Sequence, residues 1–330
     1  MKPSALHNRP FAFAERRQCP LCESTRGRPL FQSGFGEGAI GQFIESYYRI
    51  DPMLFGNAQY ELMECEACTL VYQRFVGGNR LLGTLYGEWI GDSNRPEQDP
   101  SYQSEVAAPL QSRDGHEILV AAAFLRKSPH DMQVLDFGMG WALWARIARQ
   151  LGCDAFGQEL PRARLDFAKR HDIVPIDIEE LKPRQFDFIN TEQVMEHVSE
   201  LWTTARQLAE CLQPGGILKI SVPNAEAAWS IAAALAAGQC KGTIEELMPV
   251  HPLEHVNSFT RRSLRVLAHR LGLTIVRPPL WQRYAFLKKR GSISIARPRK
   301  AVKELIRPVY QYHNRTNLYV WMQKPGVAGS

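Results

Sequence analysis

The 330-residue sequence predicts an α/β fold in which a mostly parallel sheet has helices on both faces and follows a small four-cysteine module. From about residue 116, short apolar strands alternate with helical segments, which is the pattern of a parallel sheet. The first of these strands, at 133–137, runs into a Gly138-Met-Gly140 turn. Two Cys-x-x-Cys pairs precede this region. We therefore expect a cysteine module with its linker at 1–85 and a larger α/β domain at 86–330.

The cysteine module contains Cys19-Pro-Leu-Cys22 and Cys65-Glu-Ala-Cys68. Two residues between ligands allow one tight turn to direct both thiolates at a tetrahedral ion, so we expect a structural zinc site. The seven cysteines are an odd number, which counts against a complete disulfide framework. A redox pair or a set of reduced thiols remains the alternative. Apolar segments at 60–64 and 69–73 flank the second pair as in a zinc ribbon, a module that does not by itself indicate a function.

The larger domain has a regular order of predicted elements. We expect helices at 116–127, 141–151, 162–171, 200–212 and 261–271, and strands at 133–137, 155–158, 173–176, 186–190, 217–222, 273–276 and 317–323. In such sheets ligands bind at the carboxyl ends of the strands, where the glycine turn lies.

The glycine turn indicates which ligand binds there. A dinucleotide fingerprint requires a third glycine at position 143, which is Leu143. Asp136 precedes the turn, and its charge would repel a pyrophosphate but attract a ligand with an ammonium and a sulfonium. Glu159 falls at the end of the second strand, where a carboxylate can accept both ribose hydroxyls. The pattern favours S-adenosylmethionine (SAM) over NAD.

Four segments carry a family resemblance: Val134-Leu-Asp-Phe-Gly-Met-Gly140, Gly157-Gln-Glu-Leu160, Phe186 to Val198, and Leu212-Gln-Pro-Gly-Gly to Asn224. On these the chain resembles the Rossmann-like class I SAM-dependent methyltransferases over about residues 110–280. One departure is Ala142, where many members have a third glycine.

The resemblance implies a set of cofactor-binding residues. The methionine end would lie near Asp136 and Glu192, the ribose near Glu159, and the adenine near Asp177. The full set is Asp136, Phe137, Gly138, Gly140, Glu159, Leu160, Asp177 and Glu192. For Asp177 and Glu192 the alternative is a solvated loop acid.

Methyl transfer is a direct displacement, and a base is required only when the acceptor must lose a proton. The candidates are His251, Glu254 and His255 in the loop after the fifth strand, and His197 after the fourth. Histidine is the side chain best suited to proton transfer near neutral pH. The alternative is that these side chains only pack, with His255 at the start of the next helix.

A narrower resemblance concerns Glu254-His255-Val-Asn-Ser-Phe259-Thr260. With the cysteine module, it is similar to sugar C-methyltransferases of antibiotic deoxysugar pathways and to methyltransferases of surface-polysaccharide gene sets. The resemblance implies that His255 and Glu254 deprotonate a sugar or nucleotide-linked sugar, with His197 as a second histidine, for C- or O-methylation. The alternatives are a methyltransferase of RNA or another non-sugar acceptor, and a non-catalytic SAM-fold binding module.

Composition and charge bear on the partner. Apolar residues make up 45% and charged residues 22%, which excludes a disordered or fibrous chain. The net charge is +6, but residues 277–315 hold eleven Lys and Arg against Glu304, a local charge of +10. With Lys324 counted, residues 1–276 carry −5. The negative charge of residues 1–276 counts against a nucleic-acid substrate. The absence of an Asn/Asp-Pro-Pro-Tyr or Pro-Cys motif after the fourth strand counts against it as well.

The basic segment 277–315 is expected as an insertion before the last strand. It could lie on an anionic membrane, hold a nucleotide diphosphate or pack on the core. Residues 1–17 lack the apolar core of a secretion signal, and the stretch 227–238 is too short to span a bilayer. We expect a cytoplasmic protein without a transmembrane segment; the sequence leaves the oligomeric state open.

Overall fold

The computed structural model describes residues 10–90, 96–181, 184–285 and 298–326. The chain forms two compact units. The first unit combines Met1–Asp92 with Met195–Thr204 and Val222–Arg270. The second combines Ser93–Val194, Ala205–Ser221 and Leu271–Ser330. The first unit thus contains later parts of the chain as well as the cysteine module, and the 85/86 domain boundary stays a prediction.

The elements are numbered here in chain order. The strands are β1 (Phe13–Glu15), β2 (Gly27–Gly34), β3 (Gln59–Cys65), β4 (Val71–Gln73), β5 (Phe75–Gly77), β6 (Gln133–Phe137), β7 (Asp154–Gln158), β8 (Val174–Pro175), β9 (Phe186–Glu192), β10 (Leu212–Pro223), β11 (Asn257–Ser258), β12 (Thr274–Val276) and β13 (Asn317–Gln323). The helices are α1 (Gly38–Phe43), α2 (Asn79–Thr84), α3 (Pro100–Ala107), α4 (Arg113–Leu125), α5 (Leu143–Gln150), α6 (Arg162–Arg170), α7 (Leu201–Glu210), α8 (Ala228–Ala236), α9 (Ile244–Leu247), α10 (Arg261–Arg270), α11 (Leu280–Arg283) and α12 (Pro298–Tyr310).

The second unit is built on a seven-stranded sheet in the order β12-β13-β10-β9-β6-β7-β8. Strands β10, β9, β6, β7 and β8 pair in parallel, whereas β12 and β13 pair antiparallel. Apolar side chains from α4, α5 and α6 pack with the sheet into one core that includes Phe188 and Trp321. The predicted α/β, Rossmann-like class is confirmed, and the carboxyl ends of the parallel strands share one edge.

Local backbone geometry sets where the helices begin. Helix α4 begins at Arg113 because the Ser112 hydroxyl accepts a hydrogen bond from the Gly115 N–H at 2.9 Å. Helix α5 begins at Leu143, later than expected, because Ala142 has a φ of +56°. This left-handed conformation suits glycine better, which explains why a third glycine is common there.

The Pro214-Gly-Gly segment forms a bulge within β10, whereas the predicted strand begins only after it, at residue 217. Leu212 already pairs with Phe186 of β9, and after a register shift Ile217 pairs with Phe188. Gly215 has a φ of +81°, so glycine allows the strand to bulge and return to its ladder.

The first unit contains the antiparallel sheet β11-β4-β3-β2 and the pair β1-β5. Its core contains Phe35, Phe43, Phe55 and Tyr60 from the first ninety residues. Val250 and Leu253 from the segment before β11 belong to the same core. Later parts of the chain are therefore structural components of the cysteine module.

The basic segment 277–315 contains α11 and α12 among its described residues. Lys288, Lys289, Arg290 and Arg297, which contribute to its predicted charge, lie outside the described residues. Among the helices that the structure describes, none has the length and apolar character needed to cross a bilayer.

Candidate functional site

The four module cysteines come together in the first unit. The sulfurs of Cys19 and Cys68 lie 3.6 Å apart, and those of Cys22 and Cys65 lie 3.4 Å apart. All four lie within 4.8 Å of one another. A tetrahedral site with metal–sulfur bonds of about 2.3 Å has sulfur–sulfur edges of about 3.8 Å. The donor set therefore fits a tetrahedral thiophilic metal with no open position.

The two cysteine turns have the same backbone geometry. The residue after the second cysteine of each turn, Glu23 or Thr69, has a φ near +60°. Its N–H donates to the carbonyl of the first cysteine, Cys19 or Cys65, at 2.9 and 2.8 Å. Of the remaining cysteines, Cys153 and Cys211 are buried and Cys240 is half-buried.

The second cysteine turn joins β3 to β4, and this hairpin holds the histidine loop, residues 249–260. Strand β11 of the loop pairs with β4, with Asn257 opposite Tyr72 and Ser258 opposite Val71. The Gln73 side chain donates to the carbonyls of His251 and His255 at 2.9 and 3.1 Å.

Further hydrogen bonds fix the two ends of the loop. The Tyr60 hydroxyl donates to the Val250 carbonyl at 2.5 Å. The hydroxyls of Thr69 and Thr260 lie 2.7 Å apart, and Thr260 caps α10 by accepting from the Ser263 N–H. Thr260 is thus the N-cap of α10, and helix capping does not require His255.

Asn257 and Arg16 connect the histidine loop to the segment that carries His197. The Asn257 amide donates to the carbonyls of Met195 and Val198 at 3.0 and 2.7 Å. The Arg16 guanidinium donates to the Val256 carbonyl and the Asn257 side chain, at 2.9 and 3.1 Å, and to the Ser199 carbonyl at 2.5 Å. These bonds fix the position of His197 relative to the loop.

All four predicted proton-transfer residues lie together in the first unit. The rings of His251 and His255 stack with centroids 4.6 Å apart, and those of His197 and His255 lie 5.0 Å apart. His197 Nδ1 donates to the Glu254 carbonyl at 3.0 Å, which leaves the lone pair on Nε2.

Burial keeps these histidines uncharged. It lowers the pKa of His197 to about 4, against a hydrogen bond to Glu254 that favours the charged form. Burial and the neighbouring His197 lower the pKa of His255 well below its usual value. Burial raises the pKa of Glu254 to about 6, although a hydrogen bond from Tyr48 opposes the rise. Near neutral pH the imidazoles of this cluster are therefore neutral.

A cavity of about 1020 Å³ lies in the same unit as this cluster. Its wall includes Tyr48, whose hydroxyl donates to Glu254 Oε1 at 2.7 Å. Tyr47 also lines it, with a ring centroid 6.1 Å from that of His251. The lining combines aromatic and polar residues, among them Gln42, Glu45, Tyr47, Tyr48, Arg49, Trp89, Lys241 and Thr243.

The glycine turn and Glu159 meet in the second unit. The Gly140 N–H donates to Glu159 Oε2 at 2.7 Å, and the Leu160 N–H donates to Oε1 at 2.8 Å. Gly138 has a φ of +71°, and a Cβ there would lie 2.5 Å from the Val194 side chain. A glycine is thus required at 138 both by conformation and by space.

Asp136 and Glu192 are linked by a buried chain of side chains. The Asn190 amide donates to Asp136 Oδ1 at 2.7 Å, and its oxygen accepts from Lys219 Nζ at 2.8 Å. Lys219, which is 0% exposed, also pairs with Glu192, and Arg113 pairs with the other Glu192 oxygen at 2.5 Å.

The two acids of this chain differ in charge state. Burial raises the pKa of Asp136 to about 7, although the Asn190 hydrogen bond opposes the rise. Burial also disfavours ionised Glu192, but Lys219 and Arg113 outweigh it and hold its pKa at about 2. The alternative of a solvated loop acid therefore does not apply to Glu192.

The other predicted cofactor residues differ in how exposed they are. Phe137 is buried at the end of β6, whereas the Leu160 side chain is 67% exposed. Asp177 is exposed and begins a short 3-10 helix after β8.

A family profile described as a methyltransferase domain matches residues 111–277, about half of the chain. The chain belongs to this methyltransferase family. Residues 111–277 form a SAM-dependent methyltransferase domain, as expected from the glycine turn and the strand-end acids.

Two relatives of this methyltransferase are ubiquinone biosynthesis O-methyltransferases. The enzyme of Bradyrhizobium diazoefficiens is 28% identical over 102 residues, and that of Bradyrhizobium sp. strain ORS 278 is 29% identical over 102 residues. Each match covers 28% of this chain and 40% of the relative. The chain thus spans less than half the length of these curated relatives.

Solved structures similar to the methyltransferase have low identity to it. The plantazolicin methyltransferase bound to a triazolic analogue and S-adenosylhomocysteine shares 13% identity and a TM-score of 0.46, over 74% of this chain and 94% of that chain. The Burkholderia thailandensis 1,6-didemethyltoxoflavin-N1-methyltransferase shares 15% identity and a TM-score of 0.44, over 81% of this chain and 96% of that chain.

Several residues at these sites were not identified from the methyltransferase sequence. Arg113, Asn190 and Lys219 surround Glu192 and Asp136, and Tyr48 binds Glu254. The sequence could have indicated only Lys219, because it is a charged residue within the apolar run Ile217-Leu-Lys-Ile. The others became apparent only from the contacts.

The Arg16 contacts lead to a prediction about stability. We expect Arg16→Ala to lower the free energy of unfolding by about 1 to 3 kcal/mol, because it leaves the part-buried Val256 and Ser199 carbonyls without their charged donor. The neighbouring Arg17 side chain is 85% exposed, so Arg17→Ala should cost less than about 0.5 kcal/mol. Urea unfolding of both variants measures the difference, and equal stabilities would contradict the role of Arg16.

Proposed function

We propose that this methyltransferase acts on a small-molecule acceptor, a sugar or nucleotide-linked sugar, and that the histidine cluster removes a proton from it. The observation that carries the proposal is the group of neutral, buried histidines with Glu254, in the same compact unit as a cavity lined by aromatic and polar side chains.

The cavity supports an acceptor of sugar size. Its volume of about 1020 Å³ is at the upper end of small-molecule pockets. Tyr47, Tyr48 and Trp89 offer flat apolar surfaces for the faces of a ring, whereas Gln42 and Thr243 offer hydrogen bonds to hydroxyls. Arg49 and Lys241 supply the positive charge that a diphosphate handle would require.

The cluster supports proton removal. His197 Nε2 and His255 Nδ1 are nitrogens that can accept a proton, and the structure gives the His255 atom no hydrogen-bond partner among the described residues. An imidazolium formed at His197 would gain from the hydrogen bond between its Nδ1 and the Glu254 carbonyl, which favours the charged form. The cluster would take the proton from a hydroxyl or from a C–H next to a carbonyl. The electron pair left on that acceptor atom would form the bond to the methyl carbon, while the carbon–sulfur bond breaks and its electron pair stays on sulfur.

The strand-end groups of the second unit support SAM binding. SAM supplies the methyl group when bound, and the residues of this chain hold and orient it. We assign the ammonium to Asp136 and Glu192, and the ribose hydroxyls to Glu159. The Glu159 carboxylate can accept a further bond besides the three from Gly140, Leu160 and Arg164. Phe137, Gly138 and Gly140 form the turn, and Leu160 and Asp177 flank the adenine.

We also propose that Cys19, Cys22, Cys65 and Cys68 hold one structural Zn²⁺. Their sulfur–sulfur distances and the matching turns support this assignment. Because four thiolates leave no open position, the metal acts through the fold and not in the reaction.

The relatives bear on the site of methylation. The ubiquinone biosynthesis O-methyltransferases methylate oxygen, as their name states. Their name favours O-methylation over C-methylation as the reaction of this chain. One assay that identifies the methylated atom of the product distinguishes the two. A base is required in both reactions.

The proton-transfer role predicts the effect of two substitutions. We expect His255→Asn and Glu254→Gln to lower kcat by about 10² to 10⁴-fold, the usual contribution of a general base, on nucleotide-linked keto-sugars or sugars. The dissociation constant for SAM, measured by calorimetry, should change less than about twofold, because neither residue belongs to the proposed cofactor set. His130→Asn, at an exposed histidine of the second unit, is the matched control.

These measurements separate the parts of the proposal. No SAM binding by the unmodified protein contradicts the cofactor site. Normal kcat in His255→Asn contradicts the base. A hydroxylated aromatic as the better acceptor contradicts the sugar assignment.

The zinc assignment predicts one equivalent of zinc by metal analysis. Cys68→Ser should lower the zinc content below about half an equivalent, because three thiolates do not complete the shell. Cys240→Ser, at a half-buried cysteine outside the cluster, should retain it. We expect chelation to abolish methyl transfer while SAM binding persists, since the proposed SAM residues belong to the second unit. An unmodified protein with less than about half an equivalent contradicts the ligand set.

A further inference from the structure

Exposed apolar side chains are concentrated in the basic segment 277–315. Among the described residues, twelve large apolar side chains are exposed, and five of them lie on α11 and α12. These five form what we call the apolar face, and each is between 45% and 70% exposed: Leu280, Trp281, Val302, Ile306 and Val309.

Three residues of the apolar face follow a helical repeat. Val302, Ile306 and Val309 occur at i, i+4 and i+7 of α12 and therefore lie on one side of the helix. The helix is bound by α11 and the residue that follows it: Arg283 donates to the Pro308 carbonyl at 3.2 Å, and the Tyr284 hydroxyl donates to the Leu305 carbonyl at 2.8 Å. Pro308 is thus buried, whereas Val302, Ile306 and Val309 are exposed.

The charge of the same segment is strongly positive. The sequence of α12 contains Arg299, Lys300, Lys303 and Arg307 and the single acid Glu304. The whole segment has a charge of +10, whereas residues 1–276 carry −5. The apolar face therefore lies in the one basic part of an otherwise acidic chain.

We propose that the apolar face and the basic residues of α11 and α12 bind the surface of an anionic membrane. A helix with a basic side and an apolar side lies in the interface with its apolar residues among the acyl chains. Trp281 suits this position, since tryptophan is enriched at membrane interfaces. The methyltransferase would then work at the membrane surface, independently of the acceptor that it uses.

The observations disfavour the other occupants. An RNA partner would use the positive charge but would not cover an exposed row of valine and isoleucine. A second copy would bring together two segments of charge +10, and like charges at such an interface repel. An anionic lipid surface satisfies both features at once.

Vesicle flotation with the full chain tests the proposal. We expect binding to vesicles of phosphatidylcholine with phosphatidylglycerol, little binding to phosphatidylcholine alone, and weaker binding as salt is raised. Ile306→Glu should lower the bound fraction at least about tenfold, because it places a charge among the acyl chains. Met53→Glu introduces the same charge at a 79% exposed methionine of the first unit and should bind as the unmodified protein does.

Several outcomes would overturn the proposal. They are no binding to anionic vesicles, equal binding by Ile306→Glu and Met53→Glu, or a dimer that Ile306→Glu dissociates without any vesicle binding. Salt-sensitive binding of single-stranded RNA without vesicle binding would assign the segment to nucleic acid instead. Methyl-transfer activity of Ile306→Glu in solution should be unchanged, so that this test does not depend on the proposed acceptor.

Discussion

The pairing of β11 with β4 is the constraint on which the first unit depends. Asn257 of β11 lies opposite Tyr72 of β4, and its side chain binds the backbone on both sides of His197. Strand β4 follows directly from the Cys65–Cys68 turn. The β4–β11 pair therefore positions the histidines relative to the cysteine cluster. This arrangement accounts for the inclusion of later segments of the chain in the same compact unit as the module.

The two units differ in how their buried titratable groups are stabilised: the second unit pairs opposite charges, whereas the first keeps its histidines neutral. In the second unit, Lys219 lies fully buried among Glu192, Glu117 and Asn190, so that positive and negative groups compensate one another. Removing one partner of such a set leaves a charge without compensation, which is the costly case for a buried ion pair. In the first unit, burial keeps His197, His251 and His255 neutral. The ionised Glu192 would attract a cationic cofactor, whereas a proton acceptor must be neutral before it acts.

The sequence predicted the second unit well because its signals are local. Each signal lies within a few residues of the feature that it predicts, as for the strand at 133–137, the glycine turn and the carboxylate of Glu159. The structure brings Gly140 and Glu159 into hydrogen-bond contact. The four cysteines were predicted from their spacing in the same way. Boundaries shifted where the backbone departs from standard geometry, as at Ala142, with its left-handed conformation, and in the bulge at Gly215.

The first unit was less predictable because its contacts join distant parts of the chain. Nothing local to His251 or Glu254 indicates that Gln73 binds the loop, that Arg16 binds Val256, or that Tyr48 binds Glu254. The four proton-transfer candidates were named from residue type and position, but their assembly with the cysteine module follows from the hairpin. Long-range hydrogen bonds of this kind leave no periodic pattern in the sequence.

The central claim is that the cysteine cluster holds the histidine loop through the β3–β4 hairpin. Hydrogen–deuterium exchange of the protein and of its Cys68→Ser variant tests it most directly. The account predicts that amides of residues 250–258 lose protection by more than about tenfold in the variant, while those of β6 and β7 keep theirs and show that the second unit is folded. Unchanged protection of 250–258 in a variant that has lost its metal would contradict the account.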